Sequence, residues 1–272
     1  ITIALCLSLI NNDKKTLEFH FDEPASRWEE TIPLGNGRLG IMPDGGIEHE
    51  EIVLNDITLW SGKTADYSNP KALESLPKIQ ELLLDGKNYD AQQLAYETFT
   101  CGNKGSNYGN GAVSNYGCFQ TLGKIIIDYH YNDYEKNKEN NYIRKLDLNN
   151  AIAYTEFSLD EVNYQREYFV SRESDVAIIR IRTDKRNNLS LDIQLDREER
   201  CNKATNDNAI VMYGQLNDGD NGNEGLKYLS KLSVDNVGGT VKYIDNKIIV
   251  RDADELTLIF SSATNYNNKY YA

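Results

Sequence analysis

From residue 123 onward the chain is written in short runs whose apolar residues alternate with polar ones or run apolar over strand lengths: GKIIIDY, IAYTEFSL, VNYQREYFV, DVAIIRIRT, LSLDIQL, AIVMYGQL, LKYLSKLSV, GTVKYID, KIIVRD and ELTLIFSSA. A period of two places alternate side chains on opposite faces of a strand, and turn residues such as Asp245-Asn246 separate the runs. So many consecutive strands bury their apolar faces by stacking as two sheets. The chain has no self-similarity at a regular period of about 20–50 residues, which argues against a propeller or solenoid. Before residue 60, runs such as LEFHF and RLGIMP, punctuated by Gly and Pro, read as further strands joined by tight turns.

The period changes between residues 69 and 99. Asn69 is a natural N-cap with Pro70 at the first helical position, Pro77 is read as a helix restart, and Leu76, Ile79, Leu82 and Leu83 recur at helical spacing until Gly86 stops them. A second short helix carries Ala91, Leu94, Ala95 and Phe99. The predicted architecture is therefore mainly β: a large two-sheet antiparallel β-sandwich over residues 17–272, with a short helical insertion after its first strands.

Composition narrows the partners. With 29 Lys and Arg against 42 Asp and Glu, the formal charge of -13 repels nucleic-acid phosphates and anionic membrane surfaces. The 18 tyrosines suit stacking on neutral, hydroxyl-rich ligands, but aromatic residues are also ordinary strand formers, which is the reading favoured for most of them. Residues 1–10, ITIALCLSLI, have the length of a secretory signal core and are too short to span a bilayer. Residues 1–16 are thus read as a truncated signal segment and lead-in, with a buried first strand as the alternative, and a secreted or extracytoplasmic location is expected.

Metal and cofactor chemistry finds little support: the three histidines His20, His49 and His130 are scattered, and no cysteines form a CxxC pair. Cys101 and Cys118 bracket a loop rich in Gly, Asn and Ser and are candidates for a disulfide if the domain is exported. Asn188-Leu-Ser is a candidate glycosylation sequon. The run DGDNGN at 218–223 spaces its oxygens like a calcium loop but lacks the closing glutamate, so a polar surface loop is favoured. Adjacent acids such as Glu29-Glu30, Glu50-Glu51 and Glu198-Glu199 point to opposite faces of a strand and are read as surface charge, so no catalytic pair is named.

The most distinctive stretch, residues 24–62, reads PASRWEETIPLGNGRLGIMPDGGIEHEEIVLNDITLWSG. Its glycines at 35, 37 and 40 set a sharp turn around Asn36 and Arg38, for which a plain hairpin is the competing explanation. This stretch resembles the opening of the N-terminal domain of glycoside hydrolase family 95. Further blocks resemble that family in the same order: YSNPKALESLPKIQELLLDGKNYDAQQLA, FQTLGKIIIDY, YIRKLDLNNAIAYTEFSLDEVNYQREYFVSRESDVAIIRI, GQLNDGDNGNEGLKYLSKLSV and DADELTLIFSSATNY.

The resemblance implies a non-catalytic N-terminal β-sandwich of an α-L-fucosidase-like hydrolase. Its acid and base would lie in an (α/α) barrel outside this chain, and its substrates, fucosylated or related glycans, would be reached through that barrel. It also places Asn36, Arg38, Asn55, Trp60 and Gln120 toward the barrel or substrate entrance, with Trp60 preferred to Trp28 because Trp60 ends a strand at a loop. Pro43-Asp44 stands where the family carries an aromatic or aliphatic pair, so the strand after the Asn-Gly turn is expected to end early. The alternative is a free-standing carbohydrate-binding or interaction module without catalysis.

Overall fold

The computed structural model describes residues 17–64, 66–102, 116–131, 139–206, 208–220 and 224–267. The apolar leader and most of the Gly- and Asn-rich loop lie outside them.

Strands β1 (Glu18–Phe21), β2 (Leu34–Gly35), β3 (Leu39–Pro43) and β4 (His49–Asp56) precede two helices, α1 (Lys71–Leu84) and α2 (Asn88–Thr98). Ten strands follow: β5 (Gly123–Tyr129), β6 (Asn140–Asp147), β7 (Ile152–Leu159), β8 (Val162–Val170), β9 (Ala177–Thr183), β10 (Leu189–Asp196), β11 (Asn202–Asn206), β12 (Ala209–Gln215), β13 (Lys227–Ile244) and β14 (Lys247–Thr264). Every pairing among them is antiparallel.

The sandwich forms, but its two layers share one continuous hydrogen-bonded path. One layer runs β2-β3-β4-β5-β10 and the other β1-β6-β7-β8-β9, and both meet β14. The first half of β14 pairs β10 through Val250, and its second half pairs β9 through Leu258. Where separate strands are expected at LKYLSKLSV and GTVKYID, and again at KIIVRD and ELTLIFSSA, the structure has one bent hairpin of two 18-residue strands.

The bend lies at a register shift beside Gly238 and Gly239, whose φ values are 71° and 61°. A Cβ on Gly239 would stand 2.3 Å from the Arg251 carbonyl oxygen, so only glycine lets the backbones approach this closely. The hairpin tip is the Asp245-Asn246 turn, both residues at positive φ as a two-residue type I′ turn demands.

Between the layers, alternation does what the sequence implies. In β5 the residues Ile125, Ile127 and Tyr129 are buried while Lys124, Ile126 and Asp128 are half-buried on the outer face. They join a single core with Leu39, Ile41, Ile52, Tyr168, Leu191, Val250 and Phe260. Each fully buried branched or aromatic side chain of this kind stabilises by about 1.5–3 kcal/mol.

The helical insertion is an α1–α2 hairpin. Helix α1 continues through Pro77 instead of restarting there. Its end is a Schellman arrangement: the Gly86 amide donates to Leu83 O and the Lys87 amide to Leu82 O, with Gly86 at φ 72°. At its start the Asn69 side chain accepts from the Lys71 amide at 3.1 Å, the capping role expected of it. Among the described residues no helix is long and apolar enough to cross a membrane.

Candidate functional site

The turn between β2 and β3 is built by Asn36. Its side-chain oxygen accepts from the backbone amides of Arg38 and Leu39 at 2.9 and 2.8 Å, and its Nδ2 donates to Ser171 O and Asp175 Oδ1. One amide thus closes its own turn and ties it to the β8–β9 connection in the other layer. Arg38, half-buried in the turn just before β3, reaches in three directions. Its Nε donates to Asp175 Oδ2 at 2.6 Å, Nη1 to Asp56 Oδ2, and Nη2 to Ser262 O at 3.1 Å. The Arg38 guanidinium, assisted by the Asn36 amide, holds the Asp175 carboxyl below the usual aspartate range.

Asp56 is completely enclosed. Besides Arg38 it accepts from the Thr58 amide and hydroxyl and from Ser262 Oγ, and Thr58 in turn meets Thr264 at 2.6 Å. This network pins β4 to the end of β14. Asn36 and Arg38, expected at a substrate entrance, therefore spend their polar groups clamping the two layers together at the loop end.

A second polar cluster lies within the sandwich. Arg166 Nη1 donates to Glu50 Oε2 at 2.9 Å, its Nη2 to Ile47 O and Tyr131 Oη, and its guanidinium lies 3.8 Å over the Tyr129 ring. Tyr129 and Tyr168 donate their hydroxyls to the same glutamate. Burial raises the pKa of both tyrosines well above normal, so they remain donors at any physiological pH. Glu50, expected among the surface acids, is an exception, because alternation sets it on the inner face with Ile52 and Leu54. Beside it, burial and the Glu50 charge push Asp44 up to about 6, against the opposing pull of amides donated by Gly46 and Glu51.

A concavity of about 530 Å³ near the predicted residues opens on the outer face of β3, β4 and β5. Gly40, Met42 and Val53 line it along the outward positions of their strands, with Asn55 and Gln120 beside them. The Asn55 side-chain oxygen is buried without a hydrogen-bond partner. Gln120 is 4% exposed, and its backbone amide donates to Leu59 O. Residues Asp196, Arg197, Glu198 and Glu199, together with Lys124, supply charge around the groove. Arg197 donates to Glu199 O and Thr121 O, linking two of the walls.

Of the two tryptophans, Trp28 and not Trp60 lines this groove. Trp60 stands beside it: its indole N–H donates to Ile57 O at 3.1 Å, and its ring meets Phe119, a groove residue, edge-on with centroids 5.7 Å apart. The structure therefore gathers Asn55, Gln120 and, through Phe119, Trp60, and places Asn36 and Arg38 in the clamp.

Trp28 is the residue that the sequence reading ranked second. The signal was the local spacing of Ser26, Arg27 and Glu30, whose side chains close a one-turn 3₁₀ element at Trp28–Glu30: Ser26 gives its amide and hydroxyl to Glu30 Oε2, and Arg27 gives two N–H groups to Oε1. These bonds lower the Glu30 pKa to about 2.

The remaining candidates are placed as follows. Cys101 and Cys118 are both free thiols, so no bridge joins them here. The Asn188 side chain donates to Arg186 O, and Ser190 of its sequon accepts from the Asp252 amide, so both sequon side chains are engaged at the start of β10. In the 218–223 run, Asp218 is buried and accepts from the amides of Asp220 and Glu224, Asp220 is exposed, and 221–223 lie outside the described residues. Among the described residues no group of three or more His, Cys, Asp or Glu stands together as a metal site.

Comparison with known proteins adds a family. The profile of the glycosyl hydrolase family 65 N-terminal domain matches residues 19–269. The chain is 29% identical over 276 residues to alpha-L-fucosidase 2 of Arabidopsis thaliana, a match covering 94% of this chain and 31% of that protein. It is 30% identical over 194 residues to probable alpha-fucosidase A of Aspergillus niger, covering 68% and 22%. The chain thus spans less than a third of the length of either relative. Among solved structures, a putative kojibiose phosphorylase from human microbiome is similar with a TM-score of 0.46 and 12% identity, over 93% of this chain and 33% of that one.

Proposed function

The chain belongs to the family of glycosyl hydrolase family 65 N-terminal domains, and from that premise we propose that it is the non-catalytic N-terminal β-sandwich of an α-L-fucosidase-like hydrolase of the family 95 type. The observation that carries the fucosidase reading is the match to the Arabidopsis enzyme, in which nearly all of this chain corresponds to less than a third of the relative. On this reading the remaining length supplies the catalytic acid and base, and fucosylated glycans are met there.

Two features of the fold support a supporting role. Two of the enclosed carboxylates, Glu50 and Asp56, are committed to arginine partners and hold the layers together. An inverting hydrolase instead needs two carboxyl groups facing each other across roughly 6.5–9.5 Å of open space, with a water between. The helical hairpin also shows water a run of large apolar side chains, among them Leu73, Leu84, Tyr89 and Tyr96. An apolar surface of that kind suits contact with further polypeptide.

The test has two arms. The chain incubated with an aryl α-L-fucoside should release no phenol, and turnover that survives purification to homogeneity sinks the non-catalytic reading. Grafting the chain in place of the matching segment of the Arabidopsis enzyme should leave a folded, active fucosidase. A folded but inactive graft counts against the fucosidase assignment.

A further inference from the structure

Trp28 is 64% exposed, an unusual display for a tryptophan, and the turn that carries it is closed by polar bonds. Five hydrogen bonds among Ser26, Arg27, Glu30, Thr31 and the Trp28 carbonyl fix the turn that carries it. The backbone is therefore ordered before any partner arrives, so little conformational entropy is lost when something stacks on the indole. Beside it the groove opens, with Phe119 as the second aromatic wall and Met42 and Val53 along its length. Its volume of about 530 Å³ lies within the ~300–1,000 Å³ usual for ligand sites.

The chemistry of the lining selects the occupant. Indole and phenyl faces stack on the C–H faces of sugar rings. Asp196, Glu198, Glu199, Lys124 and Arg197 give the groove both acceptors and donors for hydroxyl groups. A protein–protein interface core is depleted in charged side chains, and this groove is not. The formal charge of -13 disfavours acidic sugars.

We infer that the groove between Trp28 and Phe119, on the outer face of β3–β5, is a binding site for neutral oligosaccharide. It would hold a polysaccharide chain near the enzyme and raise the local concentration of substrate. The inference stands whether or not the parent enzyme is a fucosidase, because it rests on the turn and the groove alone.

The two tryptophans make the test direct. In the Trp60→Phe variant Trp28 is the sole indole, and its emission reports on the groove. Titration with cellohexaose, maltohexaose and 2′-fucosyllactose up to about 10 mM should give a saturable blue shift with at least one of the three, corresponding to a dissociation constant in the millimolar range or tighter. Calorimetry on the unaltered chain with the same sugar should give the same constant. Trp28→Ala should weaken binding at least about tenfold and Phe119→Ala less, each with an unchanged thermal midpoint. No shift with any of the three sugars, or binding that survives Trp28→Ala undiminished, overturns the proposal. Should an altered chain fail to fold, calorimetry on the unaltered chain still decides, since binding of none of the three sugars there overturns the proposal.

Discussion

The protein contains two arginine–carboxylate networks that look alike on paper and differ in their surroundings. Arg166 and Glu50 face each other inside the sandwich with both side chains out of water, ringed by three tyrosine hydroxyls and backbone carbonyls. Arg38 sits at the loop end, one side toward enclosed Asp56 and the other toward half-open Asp175. An enclosed pair gains its Coulomb energy in a low-dielectric setting but has already lost the hydration of both charges, so its net worth is small while the cost of breaking it is large. An open pair is screened on both counts. The interior network fixes how the layers stack. The end network fixes where the β2–β3 turn and the end of β14 meet.

The largest effect is expected where nothing can replace the lost partner. Arg166→Met leaves Glu50 as a buried carboxylate with only tyrosine donors, and should cost about 3–5 kcal/mol in urea unfolding. Adding Glu50→Leu to that chain should recover much of the loss, because the second change removes the stranded charge. A double variant as unstable as the sum of the singles would show no coupling between the two side chains, and would rule out the stranded charge as the source of the loss.

Arg38→Ala comes next. It strands Asp56, but that carboxylate keeps three hydrogen bonds, from the Thr58 amide, the Thr58 hydroxyl and Ser262. The expected loss is about 2–3 kcal/mol, smaller than for Arg166. A loss equal to that of Arg166→Met would erase the distinction between the two networks.

Asp44 sharpens the comparison through pH, since it lies close enough to feel the charge of Glu50. Its folded-state pKa of about 6 stands above the unfolded value near 4, so between those values the folded chain holds a proton that the unfolded chain has released. This contribution to stability is present in full below about pH 4 and is lost as pH rises toward 6, about 3 kcal/mol in all. In Asp44→Asn the slope over that window should flatten, as read by thermal midpoints taken at intervals from pH 4 to 7. A slope unchanged in Asp44→Asn assigns the titration to another group.

Most of this fold was legible because its strands obey a period of two. The buried position of Glu50 follows from the same rule: in β4 it shares a face with Ile52, Leu54 and Asp56. Its partner, 116 residues away on β8, has no local signal. The bent hairpin was hidden for a related reason. Gly238-Gly239 reads locally as a place to turn back, and only pairing with β14, where Asp252 also takes positive φ, makes it a bend within a longer strand.

Pro77 likewise reads as a break. In the structure α1 runs unbroken from Lys71 to Leu84 with Pro77 inside it. Around the groove, Asn55 and Gln120 come from blocks that the resemblance singles out, whereas Trp28 is ranked behind Trp60. That Trp28 shares a groove with Phe119 is set by folding and has no local signal in the sequence.

The smallest expected effect tests the open half of the end network. Asp175 is 45% exposed at its side chain, and Asn36 also bonds it. Asp175→Ala should cost no more than about 1 kcal/mol at low salt, and the cost should shrink in 1 M NaCl as the charges are screened. The loss in Arg38→Ala should persist in salt, because the Asp56 side of that arginine is out of water. If instead both losses fell together as salt was added, the enclosed carboxylate would be exchanging with solvent, and the loop end would be open enough for the clamp to release during function.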